Sequence, residues 1–257
     1  MIITTAGRTN QEMKEKAKKI AEYLEAEYME RNKKSVSTIQ KQRQDDCIVV
    51  GKERLELFPL GESQPFFFHP NSAMFRIKRL LKGESDPFIQ AAEIRKGSSV
   101  LDCTLGLASD SIAASLAVGI EGTVTGLEGN EYLAFLVGNG LRQWESGLEA
   151  MDCAMRRVQV KSTMSLPYLK NLPDDSYDIV YFDPMFEETI LESDGIKALS
   201  RYAVYADLSE EIISQAKRVA REKVVLKDHF RSSRFEQYGF KVHRRKTSKF
   251  HFGVIET

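Results

Sequence analysis

Residues 98–110 read S-S-V-L-D-C-T-L-G-L-A-S-D and run on into S-I-A-A-S-L-A-V-G. A short apolar run of β-formers, an acid at its end, a small-residue turn and a helical stretch follow in that order. The spacing predicts strand, tight turn, helix. A strand ending in a glycine turn aims the free N–H groups and positive dipole end of the next helix at whatever lies above the turn. A ligand of nucleotide type is expected there, in an open α/β sheet.

Working outward, T-V-T-G-L-E-G-N at 123–130 predicts a second strand ending in Glu128, placed to accept hydrogen bonds from two ribose hydroxyls. NAD and S-adenosylmethionine fit that arrangement alike. Two features favour the second. Residues 177–186, Y-D-I-V-Y-F-D-P-M-F, predict a buried strand that stops at an acid, a proline and two large apolar side chains. D-P-M-F resembles the Asp/Asn-Pro-Pro-Tyr/Phe signature of methyltransferases acting on exocyclic amines of nucleobases. The closing segments K-V-H-R-R (241–245) and F-H-F-G-V-I-E (250–256) read as the antiparallel hairpin that ends class I methyltransferase sheets and that dinucleotide-binding domains lack.

The 257 residues carry 37 Lys plus Arg against 37 Asp plus Glu. Net charge therefore announces no nucleic-acid partner, and any basic surface must be local. Cys47, Cys103 and Cys153 are widely spaced without a C-x-x-C pair, so neither a disulfide framework nor a zinc site is expected. His69, His229, His243 and His251 form no H-x-x-x-H or Cys/His cluster, and no metal is expected. No apolar run approaches membrane-spanning length and no secretory leader is recognisable, so a soluble protein of the reducing cytoplasm is expected.

Along the chain, Ile2 and Ile3 predict a first strand. Thr9-x-x-Glu12 predicts a capping box opening a helix with Met13, Ala17, Ile20, Leu24 and Tyr28 on one face. Strands at 47–51 and 54–58 complete a small α/β unit. An aromatic strand at 66–68 follows, then a basic helix with Arg76, Lys78, Arg79 and Lys82, then a hinge at 83–87. The expected domains are therefore 1–86, small and α/β with the basic helix, and 87–257. The second is expected to be Rossmann-like: alternating strands and helices make a mostly parallel, seven-stranded sheet covered on both sides.

The candidate donor-binding residues are Asp102, Thr104, Gly106, Ser109, Asp110, Glu128, Gly129, Ser162, Thr163 and Asp183. Structural readings stand beside these roles: Gly106 can be a plain turn, and Asp110 can simply complement a helix dipole. Two acids at successive strand ends nevertheless repel each other, which a structural role does not require. A methionine ammonium and a ribose are suitable partners.

The candidate catalytic residues are Asp183, Pro184 and Phe186. An exocyclic amine is a poor nucleophile because its lone pair is delocalised into the ring. Acceptors on its two N–H groups, here the Asp183 carboxylate and the Pro184 carbonyl, help the nitrogen pyramidalise, while Phe186 stacks on the base. Methyl transfer from a sulfonium is downhill, so alignment and exclusion of water suffice. Arg76, Lys78, Arg79 and Lys82, and Arg244 and Arg245 with Lys246 and Lys249, form two basic clusters. Each is either a solvated face or a set of phosphate contacts. Phe66 to Phe68 read as core.

From about Leu55 onward the chain resembles the ribosomal small-subunit RNA methyltransferase J family. The matching pieces are L-E-L, an aromatic strand and A-M-F-R helix, V-L-D-C-T-L-G-L-A-S-D, L-E-G-N, S-T, Y-F-D-P-M-F, V-V-L-K and the closing hairpin. The resemblance implies S-adenosylmethionine as cofactor and methylation of the N2 amine of a guanosine in 16S rRNA, in naked RNA or an assembling 30S particle. It puts Ser109, Asp110, Glu128, Gly129, Ser162, Thr163 and Asp183 at donor contacts. The chain departs from the family at Ala108, where glycine is usual, at Ser109 and Gly129, where arginine is frequent, and at Glu187, where proline follows the motif. Acidic Glu187, Glu188, Glu192 and Asp194 also replace a more basic segment. Competing readings are methylation of another amine, such as adenine N6 or a small molecule, and a non-catalytic S-adenosylmethionine-binding module.

Overall fold

The computed structural model describes residues 1–62, 64–184, 202, 208–246 and 248–257. The chain divides into two compact units, the first built on Met1–His69 and the second beginning at Pro70.

In the first unit a four-stranded sheet runs in the order β2-β1-β3-β4. Its strands are β1 (Ile2–Thr5), β2 (Glu27–Tyr28), β3 (Cys47–Val50) and β4 (Leu55–Phe58). β1 is parallel to both neighbours and β4 is antiparallel to β3. β1 and β3 are buried at every residue, which suits the apolar run Cys47–Val50 and leaves Thr4 and Thr5 buried after Ile2 and Ile3. Helix α1 (Gln11–Tyr23) buries Met13, Ala17, Ile20 and Ala21. Its N-cap is Asn10, whose side chain accepts from Met13 N at 2.8 Å, not the expected Thr9. Tyr28 is likewise not on the helix but in β2. The expected aromatic strand reduces to a single bridge between Phe66 and Leu57. Phe66 and Phe68 are core, and Arg54 lies 3.8 Å over the Phe67 ring.

The second unit holds a seven-stranded sheet in the order β10-β11-β9-β8-β5-β6-β7. Its strands are β5 (Ser99–Asp102), β6 (Thr123–Glu128), β7 (Val158–Ser162), β8 (Tyr177–Phe182), β9 (Ala220–His229), β10 (Lys241–His243) and β11 (Phe250–Glu256). β5 to β9 are parallel, while β11 is antiparallel to both β9 and β10. The chain grows from β5 through β6 to β7, then crosses back to add β8 and β9 on the other side. The reversal between β5 and β8 opens the crevice in which open α/β sheets bind ligands.

Helix α5, Ser109–Val118, follows β5 and is buried along most of its length. Helix Glu131–Gln143 follows β6 and buries Leu133, Val137 and Leu141. Helix Glu210–Val219 is capped by Ser209, which accepts from Ile212 N; Asp207, part of the expected capping pattern, lies outside the described residues. Leu101, Val180, Val224 and Leu226 are fully buried in the core on one face. Each such side chain stabilises the fold by roughly 1.5–3 kcal/mol.

The expected basic helix, Asn71–Leu81, belongs to the second unit, so the break lies at His69/Pro70 rather than at 86/87. The reason is Arg76. Its guanidinium forms a bidentate pair with Asp86 at 2.7 and 2.8 Å and reaches Asp110 at 2.5 Å. Asp86 in turn caps helix Pro87–Ala91 by accepting from Phe88 N and Ile89 N. The segment expected as a hinge therefore ends in a tethered helix start.

Candidate active site

β5 delivers Asp102 to the carboxyl edge of the sheet, where it is 2% exposed. Its Oδ1 accepts from Thr104 N at 3.0 Å and its Oδ2 from Ser111 Oγ at 2.7 Å. Burial pushes its pKa up to about 7, against the pull of those two donors. The turn itself is seated on β6. Leu105 N donates to Leu127 O at 3.0 Å, and a Cβ at Gly126 would lie 2.3 Å from Leu105 Cδ1. Gly106 and Ala108 both adopt left-handed backbone, with φ of 49° and 62°. Glycine takes that conformation freely, whereas alanine is strained by it. Ala108 forms the N-cap of α5 and offers no side-chain acceptor to the first N–H groups of that helix, a type of helix start suited to an anionic ligand group.

On the neighbouring strand Glu128 is half-buried and accepts from Asn130 N at 2.9 Å. Burial raises its pKa, opposed by backbone donors from Asn130, Gly106 and Gly129. Ser162 pairs with Glu128 in register at the end of β7, and Thr163 N donates to Glu128 O at 2.9 Å. Beyond β8, Asp183 N donates to Thr104 Oγ1 at 2.6 Å, tying the end of this strand to the turn after β5.

The carboxylate of Asp183 meets a charge cluster. Lys227 Nζ, from β9, lies 2.6 Å from Asp183 Oδ2 and 3.3 Å from Asp110 Oδ2, while Arg76 holds Asp110 Oδ1. Burial and the Asp110 charge push the Asp183 pKa up to about 6, against the opposing ammonium of Lys227. Asp110 is also buried, but Lys227 and Arg76 together hold its carboxyl below the usual carboxylate range. Among the described residues no group of three or more His, Cys, Asp or Glu side chains could hold a metal ion.

Carboxylates that burial leaves reluctant to ionise, at two adjacent strand ends beside an uncapped helix start, suit a ligand that brings a cation and a diol. A family model described as "Putative SAM-dependent methyltransferase" matches residues 30–252. The chain belongs to this S-adenosylmethionine-dependent methyltransferase family. It is 50% identical over 256 residues to YpiP of Bacillus subtilis, covering 100% of this chain and 99% of that protein. It is 31% identical over 188 residues to ribosomal RNA small subunit methyltransferase J of Legionella pneumophila, covering 72% and 68% of the two chains. The crystal structure of a SAM-dependent methyltransferase from Neisseria gonorrhoeae shares the fold, with a TM-score of 0.65, 15% identity and coverage of 100% and 96%.

The methyltransferase thus brings Asp102, Thr104, Gly106, Glu128, Gly129, Ser162, Thr163, Asp183 and Pro184 to one edge of the sheet, with Ser109 and Asp110 in the first turn of α5. Phe186 lies outside the described residues, as do Glu187, Glu188, Glu192 and Asp194. Arg76 departs from expectation. It joins the starts of two helices through Asp86 and Asp110 and is not available as a phosphate contact. Arg79 pairs with Glu84, while Lys78 and Lys82 are exposed.

Lys227 is the residue that sequence reasoning passed over. V-V-L-K read as a strand, and its one signal was a lysine directly after three fully buried apolar residues, Val224, Val225 and Leu226.

A second group lies where β9 ends and β11 begins, since His229 pairs with Phe250. The rings of His229 and Phe230 are 4.6 Å apart, Phe230 and His251 are 6.1 Å apart, and Arg231 lies 5.0 Å over Phe230. Arg231, Arg244, Arg245, Lys246 and Lys249 are exposed here and form no ion pair with a described carboxylate.

Proposed function

We propose that the methyltransferase modifies an exocyclic amine of a nucleobase in structured RNA, with the N2 amine of a guanosine in small-subunit rRNA as the target. Asp183 and Pro184 carry this reading, because they stand at the end of β8, beside the crevice and next to the carboxylates of the donor site. The name of the Legionella relative and the exposed basic side chains beside aromatic rings at the end of β9 point the same way. Naked rRNA or an assembling 30S particle is the partner, which puts the reaction in the cytoplasm. A target base within a helix must first flip out.

S-adenosylmethionine, when bound, supplies an electrophilic methyl on a sulfonium. Asp102 and Thr104, with the backbone at Gly106 and Ser109, hold its amino-acid end. Glu128 and Gly129 take the ribose, and Ser162 and Thr163 border the adenine. Asp110 contributes its backbone N–H, because its carboxylate is already engaged by Arg76 and Lys227. The Asp183 carboxylate and the Pro184 carbonyl accept the two amine N–H groups, and Phe186 stacks on the base. Arg244 and Arg245, with Lys78 and Lys82, contact phosphate; such contacts fix the register of the RNA without reading its sequence.

Nucleoside mass spectrometry of rRNA from a deletion strain tests the proposal. Loss of N2-methylguanosine, restored on complementation, is expected. Unchanged N2-methylguanosine would overturn the target, and loss of N6-methyladenosine would redirect it to another amine.

A further inference from the structure

We infer that Lys227 is a positioning residue for methyl transfer: bridging Asp110 and Asp183, its ammonium holds the Asp183 carboxylate as the anion that receives the amine N–H. The inference deepens the reading above and rests on Asp183 as the amine acceptor.

The placement is built into the sheet. Val224, Val225 and Leu226 are fully buried, and Phe252, the partner of Lys227 on β11, is 4% exposed. A stiff apolar stem thus carries one cation to the strand end. Its Nζ is 2.6 Å from Asp183 Oδ2, and the Lys227 and Asp183 side chains are 25% and 24% exposed. Among the described residues the other cation of this cluster, Arg76, is taken by Asp86 and Asp110.

Among the described residues, every other group facing Asp183 leaves it inclined to take a proton or does nothing to prevent it. Asp110 faces it from α5 and Asp102 from β5, both acidic, and the buried Tyr181 precedes it by two residues on β8. Thr104 reaches only its backbone N–H. A protonated carboxyl presents a donor where the amine needs an acceptor. Lys227 removes that conflict while using only one of about four acceptor positions on the carboxylate.

The same pairing serves the end of the reaction. The N–C bond forms as the S–C bond breaks, and the nitrogen is left with one proton too many. That proton passes to the Asp183 oxygen not held by Lys227 and then to water, and the neighbouring ammonium keeps the carboxyl acidic enough to release it.

The test compares wild type with Lys227→Met and Lys227→Arg. The Asp183 carboxyl is titrated by carbon NMR of aspartate-labelled, donor-free protein, assigned through Asp183→Asn. Single-turnover rates are then measured against pH. Lys227→Met should raise the Asp183 midpoint by at least about one pH unit, move the acid limb of the rate profile by the same amount, and slow transfer at neutral pH on the order of 100-fold. Lys227→Arg should restore the midpoint and most of the rate. Calorimetric binding of S-adenosylmethionine shows that each variant is folded, and Lys227→Gln carries the comparison should the Met variant not fold. An unmoved Asp183 midpoint, or a slower rate with an unchanged pH profile, overturns the inference. If the midpoint moves but Asp183→Asn retains turnover, it is the acceptor role of Asp183 that fails.

Discussion

The seven-stranded sheet carries acids at both edges, and the two edges treat them differently. At the amino edge Asp178 is the second residue of β8, and its carboxylate accepts from Ser99 N at 2.7 Å, from Ser99 Oγ at 2.9 Å and from Arg221. Burial works to raise its pKa, but those donors leave it lowered. Lys223 on the same edge is matched by Glu93 at 2.9 Å and Glu256 at 3.0 Å. At the carboxyl edge Asp102, Glu128 and Asp183 are all raised, with burial the largest cause. Acids of one sheet therefore mark two functions. Asp178 at the first edge is satisfied by donors of the fold, whereas at the second burial outweighs the donors of Asp102 and Glu128, and Asp183 is held by Lys227.

The contrast can be broken in three places. The largest effect belongs to Asp183: Asp183→Ala should reduce methyl transfer at least about 1000-fold while leaving the protein folded, as read by transfer of labelled methyl and by circular dichroism. Retained turnover would remove Asp183 from the mechanism.

Next comes Asp102. Its proton must leave before the carboxylate can face a donor ammonium, so donor affinity should weaken as pH falls below about 7. The limiting slope is about tenfold per pH unit. Calorimetry across that range should show the slope in the wild type and a flat, weaker profile in Asp102→Asn.

The smallest effect is expected at the amino edge. Asp178→Ala should lower stability by about 2 kcal/mol at neutral pH with kcat unchanged, measured by denaturant unfolding and by turnover. Because the folded pKa of Asp178 is lowered, its contribution is present above the ordinary aspartate value of about 3.9. The difference between wild type and variant should therefore shrink as pH falls through and below that value. A loss of kcat at Asp178 would show that the two edges are not separate.

Much of this was legible in the chain because it is local. An apolar run ending in an acid and a small-residue turn names strand, turn and helix within 98–110. The alternation after it names a parallel sheet, and the closing segments name the antiparallel end, observed as β10 and β11. What stayed hidden depends on distant partners. Arg76 looked like one more charge on a basic face because Asp86 and Asp110 stand 10 and 34 residues away. Lys227 is 44 residues from Asp183, and nothing in V-V-L-K says which strand will lie beside it. The capping of α1 was misread by one residue because Thr9 and Asn10 are both good caps, and only the fold chooses Asn10. Helix Val36–Arg43 was missed because it buries only Ile39 and Gln40, too few for a periodic stripe.

The bare backbone at Gly126 has a practical consequence. Leu105 rests where a β-carbon on that residue would be, 2.3 Å from its Cδ1, so the rim of the crevice stands at a height set by a missing atom. A methyl added at residue 126 would have to displace Leu105 and the turn that carries it, so alanine there would reshape the ligand-facing turn from below without touching a residue of the lining.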